Sequence, residues 1–352
     1  MRKIKNLISY CSLLIVVSTQ LISCQMKKEL PEFHVEMSHP ENKYRIEPVY
    51  DKIKTLEGVR ASFPYGGSSG GWGESRKLWT EQHGTPIGAD ITYYAGYEDA
   101  FYHLNVDFPI DTITDLTKRF YPNSESEENH DELQEYIYDR RPGQENTYDE
   151  FSDLVFGFAP KGMVVVWLRF SGNQKELGRY QAELVEDDQA LEAKLFASWS
   201  MRRKEVREIS LIPDASPEKW DNYRIKYFWK PIITSENSNF RLFWVLTEYF
   251  NAEYENKLRP MLLHPKNEKR AIPSLITFFW ETGKGEKFEG RAFFNWEKTN
   301  EQFKNGDNSD NEIQIKVTAD NGDFEVLLNG RSLETVNKRV FKTDREFKES
   351  YK

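Results

Sequence analysis

The chain has 352 residues, enough for one large or two ordinary domains, with 48 basic and 57 acidic residues and a formal net charge of −9. That acidity excludes the basic surface with which a protein neutralises phosphates, so nucleic acid is not an expected partner, and charge alone would not draw the chain to anionic headgroups. The two cysteines, Cys11 and Cys24, leave no disulfide framework and no cysteine-built metal site in the remainder of the chain.

At the N terminus Arg2, Lys3 and Lys5 lead an apolar run through Leu13-Leu14-Ile15-Val16-Val17 that closes on Leu21-Ile22-Ser23-Cys24. A basic start, a short apolar stretch and small residues at its end describe an export signal. Ser9, Tyr10, Ser12, Ser18, Thr19 and Gln20 interrupt the run, which is short and polar beside the roughly 20 apolar residues of a spanning helix. The closing tetrapeptide resembles the lipobox of bacterial lipoproteins, which implies cleavage after Ser23 and acylation of Cys24. Several acyl chains anchor stably where one would not. Gln25 in place of aspartate resembles the signals sorted to an outer membrane. The expectation is a signal over 1–23, a lipid attached at Cys24, and a bacterial envelope protein on the outer membrane facing the periplasm. Without 1–23 the basic count falls by three to 45 against 57, a charge near −12.

Residues 24–45, polar and broken by Pro31 and Pro40, read as a tether. Tyr65-Gly66-Gly67-Ser68-Ser69-Gly70-Gly71-Trp72-Gly73 lacks the lysine of a phosphate loop and reads as a tightly turning surface loop; its functional alternative is a ligand flap presenting Trp72. Ile91–Tyr97 and Ala100–Phe108 predict two strands around Glu98-Asp99, with Tyr102, Leu104, Val106 and Phe108 on one face. Asp111 or Thr112 should cap a helix to Phe120, and 123–150 form an acidic excursion. Leu154–Ala159 and Met163–Leu168, joined by Pro160-Lys161-Gly162, predict a hairpin buried on both faces. Residues 188–207 suit a helix by composition, and Ser216-Pro217 starts another.

Further strands are predicted over Tyr223–Trp229, Phe240–Phe250, Leu258–Leu263, Ser274–Trp280 and Phe288–Phe294. Asn295 should then cap a helix to Lys304, and Glu312–Ala319 should turn through Asn321-Gly322 into Phe324–Leu328. No repeat of fixed period is evident. The fold class is therefore mainly β (α+β): antiparallel sheets or a sandwich with a few short helices, in two β-rich domains over 46–212 and 213–352.

Chemistry is harder to find. None of His34, His39, His83, His103, His130 and His264 shows the paired spacing of a zinc helix, and Glu127–Glu132 is a solvated charge run by composition. There is no Gly-x-Ser-x-Gly elbow, and Ser68-Ser69 have no base nearby in sequence. No catalytic residue, metal ligand or cofactor is assigned; Cys24 and Trp72 are the only site residues.

The stretch Leu154–Leu168, the aromatic strand ending in Phe108-Pro109 and the segment Gly71-Trp72-Gly73 resemble DUF2931, a family of bacterial lipoproteins of unknown function. The likeness covers about 45–212 and departs at Lys161, where the family often has glycine. It implies lipoprotein status and carries over no activity, ligand or catalytic residue. The expected function is a non-enzymatic, membrane-anchored lipoprotein with a protein or glycan ligand. The alternatives are an immunity lipoprotein against a secreted toxin and an envelope hydrolase without a legible motif.

Overall fold

The computed structural model describes residues 30–75, 80–120, 153–170, 173–259, 262–306 and 310–345. The signal, Cys24, the excursion over 123–150 and His130 lie outside the described residues. Among the described residues the chain is mostly strand, and no helix is long and apolar enough to cross a membrane.

The order begins with β1 (Glu32–Ser38), a short 3-10 turn (Asn42–Tyr44), β2 (Ile46–Thr55), β3 (Thr80–His83), β4 (Pro86–Ala95), β5 (Ala100–Asp107) and helix α1 (Ile110–Phe120). Then come β6 (Asp153–Ala159), β7 (Met163–Phe170), β8 (Asn173–Gln181) and β9 (Glu183–Leu184), followed by helices α2 (Gln189–Phe196), α3 (Arg203–Ser210) and α4 (Glu218–Tyr223). The remainder is β10 (Lys226–Ser235), β11 (Arg241–Tyr249), β12 (Tyr254–Leu258), β13 (Glu268–Ala271), β14 (Pro273–Glu281), β15 (Lys287–Phe294), α5 (Trp296–Lys304), β16 (Asn311–Val317), β17 (Phe324–Leu328), β18 (Arg331–Ser332) and β19 (Thr335–Thr343).

The pairing of these strands repeats. In the first half β3-β1-β6-β7-β8 lie side by side, with β1 and β6 parallel and the rest antiparallel; β2-β4-β5-β9 form a second, antiparallel sheet. In the second half β13-β10-β16-β17-β18 repeat the first pattern, again with one parallel pair, β10 and β16, and β11-β14-β15-β19 repeat the second. A helix precedes the hairpin in each, α1 before β6 and α5 before β16. The chain is thus one two-sheet topology used twice. A trace survives in sequence: Ile91-Thr92-Tyr93-Tyr94 on β4 corresponds to Ile276-Thr277-Phe278-Phe279 on β14.

Strand β12 has no counterpart in the first copy, and it joins the two. It lies between β11 and β8, fusing the β1-containing sheet of the first copy to the β11-containing sheet of the second in one ten-stranded sheet. Charges cross this joint, where Lys175 Nζ meets Glu255 at 2.6 Å and Arg224 meets Glu176 at 2.7 Å, and Lys226 meets Glu253 at 2.7 Å beside it within the second copy. Asn256 N donates to Asn173 Oδ1 at 2.9 Å and Trp167 Nε1 to the Asn251 carbonyl at 3.1 Å. Each copy keeps its own core, one around Phe156, Val165 and Tyr93, the other around Trp229, Phe278 and Ile315.

Mainly β architecture with short helices follows from the alternation noted above. The 154–168 hairpin is β6–β7, buried on both faces, and Lys161 and Gly162 take the positive φ of 60° and 71° that its tight turn needs. Asn295 caps α5 by accepting from Lys298 N.

Several boundaries differ from expectation. The tether cannot run to residue 45, because β1 starts at Glu32 and sinks Phe33, Val35 and Met37 beside β6. Helix α1 starts at Ile110, before Asp111, because the Pro109 carbonyl accepts from Ile113 N. Instead of one helix over 188–207 there are two. Trp199 turns back onto Phe196, ring centroids 5.1 Å apart, and Glu205 then recaps the chain at Arg202 N. Helix α4 starts just after Pro217, with Ser216 Oγ accepting from Glu218 N, and it runs through Tyr223, so the following strand begins at Lys226. Leu258 closes β12, where a strand to Leu263 was expected, and Leu262 N donates back to the Leu258 carbonyl.

Candidate functional site

The joint between the copies leaves two clefts. The larger, of about 720 Å³, lies where the 3-10 turn, the segment from Ile212 through α4, and the first turn of α5 meet. Four rings line it: Tyr44, Trp220, Tyr223 and Trp296. Tyr44 stands edge-on to Trp220 at 5.3 Å, and Tyr223 is tilted against Trp296 at 5.7 Å. Trp220 is buried, whereas Tyr223 and Trp296 are half-buried and offer aromatic surface. The rim is acidic: Glu41, Asp214, Glu218 and Glu297 outnumber Lys43 and Lys219. Glu41 takes both lysines, at 2.9 Å and 3.6 Å. The hydrogen bond from Lys43 holds its carboxyl below the usual carboxylate range. The Trp296 indole N–H is buried without a hydrogen-bond partner among the described residues, which costs about 1–3 kcal/mol.

The second cleft, of about 520 Å³, is lined by Trp72, Glu74, Arg169, Glu248, Tyr254 and Ser274, among others. Here the one ring residue flagged from sequence finds its place. Trp72 stacks edge-on against Trp167, centroids 5.0 Å and planes 90° apart, and reaches within 6.2 Å of Trp220. It is a half-buried wedge between the clefts, and the glycine loop carrying it is strapped down. Ser68 N donates to the Ile46 carbonyl, Ser69 N to the Met37 carbonyl, Gly73 N to Ser38 Oγ and Ser75 N to Glu36. Arg169 is clamped by Glu36 at 2.6 Å and Asp153 at 3.0 Å, and also donates to the Gly73 carbonyl. Burial and the neighbouring Glu74 raise the Glu248 carboxyl, against the pull of Arg291.

Ser68, which has no base nearby in sequence, does have one in space. Its Oγ lies 2.9 Å from His39 Nδ1, and Asn42 Oδ1 is 3.4 Å from the other ring nitrogen. The arrangement looks like a nucleophile and its base, yet Ser68 is 3% exposed and His39 fully buried, and Ser68 Oγ also accepts from Ile46 N. The pair ties the glycine loop to the end of β1. His103 pairs with Asp90 at 2.8 Å at the surface, and among the described residues no group of three or more histidine, cysteine or acidic side chains could hold a metal ion.

No curated protein matches this chain. Among solved structures it is similar to the pilus adhesin SpaC from Lactobacillus rhamnosus GG in its open conformation, at 7% identity and a TM-score of 0.14. That match covers 86% of this chain and 28% of the adhesin, and a likeness so slight carries no argument. The profile of the family described as Protein of unknown function (DUF2931) matches residues 25–210, the first copy of the topology with the helices α2 and α3 that follow it, and the chain belongs to that family.

Proposed function

We propose that this protein is a lipid-anchored lipoprotein of the bacterial envelope, acylated at Cys24 and facing the periplasm from the outer membrane, and that it binds a neutral glycan without catalysing a reaction. The observation that carries the ligand class is the aromatic cleft at the joint. Half-buried Tyr223 and Trp296 offer ring faces for stacking on the apolar face of a sugar, and the rim supplies carboxylates and the Asn222 amide for its hydroxyls. The excess of carboxylates over lysines disfavours an anionic ligand. The lipobox-like Leu21-Ile22-Ser23-Cys24 supports the anchor.

Two measurements test the reading. Mass spectrometry of the mature protein should find an acylated N-terminal Cys24, and Cys24→Ala should release the protein from membrane fractions; an unmodified N terminus upstream of that residue overturns the anchor. On a glycan array, Trp296→Ala and Tyr223→Ala should each weaken binding about tenfold, the value of one lost stacking face, while the surface change Lys204→Ala leaves it intact. Undiminished binding by both aromatic variants rules the cleft out.

A further inference from the structure

The two copies differ at the open edge between their sheets. In the first copy the glycine loop fills it: Ser69 N bonds to Met37 on β1 in one sheet and Ser68 N to Ile46 on β2 in the other. In the second copy the matching strands are β10 and β11. The chain that follows β11 leaves to build β12, and a pocket of about 310 Å³ remains between the sheets. Its walls are apolar, with Ile232 and Ile233 from β10, Leu242 and Val245 from β11, and Phe240 and Leu262 from flanking turns. One side is cationic: Lys257, Arg259 and Arg270 line it against a single carboxylate, Glu255. That carboxylate is already shared by Lys257 at 3.0 Å, Arg270 at 3.1 Å and Lys175 at 2.6 Å. Burial alone would raise it, and the three cations outweigh burial and hold it well below the usual carboxylate range.

An apolar slot ending in more cations than anions suits a ligand with the same division, an aliphatic chain bearing one negative head. Its volume is at the small end of the roughly 300–1,000 Å³ of ligand pockets, which fits one short chain and not the two of a phospholipid. We infer that the inter-sheet pocket of the second copy binds a free medium-chain fatty acid, its chain between β10 and β11 and its carboxylate against Lys257 and Arg259. Lys257 can turn to the ligand without orphaning Glu255, which keeps Lys175 and Arg270. The site is separate from the aromatic cleft, so it stands whether or not that cleft binds a glycan.

The test is calorimetric titration of the full chain with decanoate, with decanol, and with phosphatidylglycerol vesicles. One decanoate should bind per chain, about tenfold tighter than decanol, the value of a charge-assisted hydrogen bond. Vesicles, titrated into the full chain carrying Cys24→Ala so that no acyl anchor can insert, should give no saturable signal beyond that of a protein-free control. The double variant Lys257→Met/Arg259→Met should lose the preference for the acid and keep decanol, and Leu262→Trp, which fills the slot, should lose both. Absent or unsaturable decanoate binding, equal affinity for the alcohol, binding of vesicles alone, or a double variant that still prefers the acid would each overturn the inference. The comparison of acid with alcohol on the unmodified chain needs no variant to fold.

Discussion

Gly157 shows how tightly the residues at the joint are fitted. It sits in the middle of β6, where a strand normally prefers a side chain, because a Cβ there would come within 2.5 Å of the Trp167 ring and 2.8 Å of the Trp72 ring. Both rings are held, Trp167 through its indole N–H on the Asn251 carbonyl and Trp72 edge-on against it, so neither yields cheaply. Gly157→Ala should therefore destabilise the fold by about 1–3 kcal/mol, the usual cost of overpacking a well-filled core. It should also loosen the wall of the 520 Å³ cleft. Urea unfolding followed by tryptophan fluorescence reads the first effect. A midpoint unchanged from the unmodified protein would mean that the tryptophans are free to move.

At the scale of elements, β12 decides how the copies combine. It carries Glu255 into the joint, with Glu253 just before it, both buried, and such charges are tolerated only because Lys175, Lys226, Lys257 and Arg270 meet them there. Glu255→Gln removes one negative charge from among three cations and should cost about 3–5 kcal/mol, as breaking a buried ion pair does. A loss below 1 kcal/mol in chemical denaturation would show that water screens the cluster. None of this was legible in sequence, because β12 reads Tyr-Glu-Asn-Lys-Leu, without the apolar alternation that marks a half-buried strand. Elements buried by local partners were legible: β6–β7, β14–β15 and β16–β17 are hairpins whose alternation and turns declare themselves. Strand β1 was hidden in an apparent tether because its parallel partner begins at Asp153, far along the chain. Edge strand β19 was hidden because an edge is kept polar, and Asn337, Lys338 and Arg339 keep it so. The clefts were hidden for the same reason, since Tyr44, Tyr223 and Trp296 converge only after both copies have folded.

At the scale of the whole molecule, the sheet passes from one copy to the other through the Tyr254–Gln174 pairing of β12 and β8 and the ion pairs beside it, which should make the copies one cooperative unit, with the charged joint as its acid-sensitive part. Glu253 and Glu255 titrate below the ordinary value of 4.5: burial pushes each up, and Lys226 with Lys175 in the first case, and Lys175, Lys257 and Arg270 in the second, pull it further down. In the unfolded chain both regain the ordinary value, so above about pH 4.5 the two states bind the same number of protons there and the stabilisation is complete. As the pH falls below that value the unfolded state takes up protons that the folded state refuses, and stability is lost progressively until the folded carboxyls themselves titrate. Scanning calorimetry should accordingly give a single transition near pH 7, with a melting temperature that falls steeply only on the acid side of about pH 4.5, and Glu255→Gln should flatten that fall. Two separate transitions at pH 7 would mean that β12 does not couple the copies, and an acid limb as steep in the variant as in the unmodified protein would place the sensitivity elsewhere.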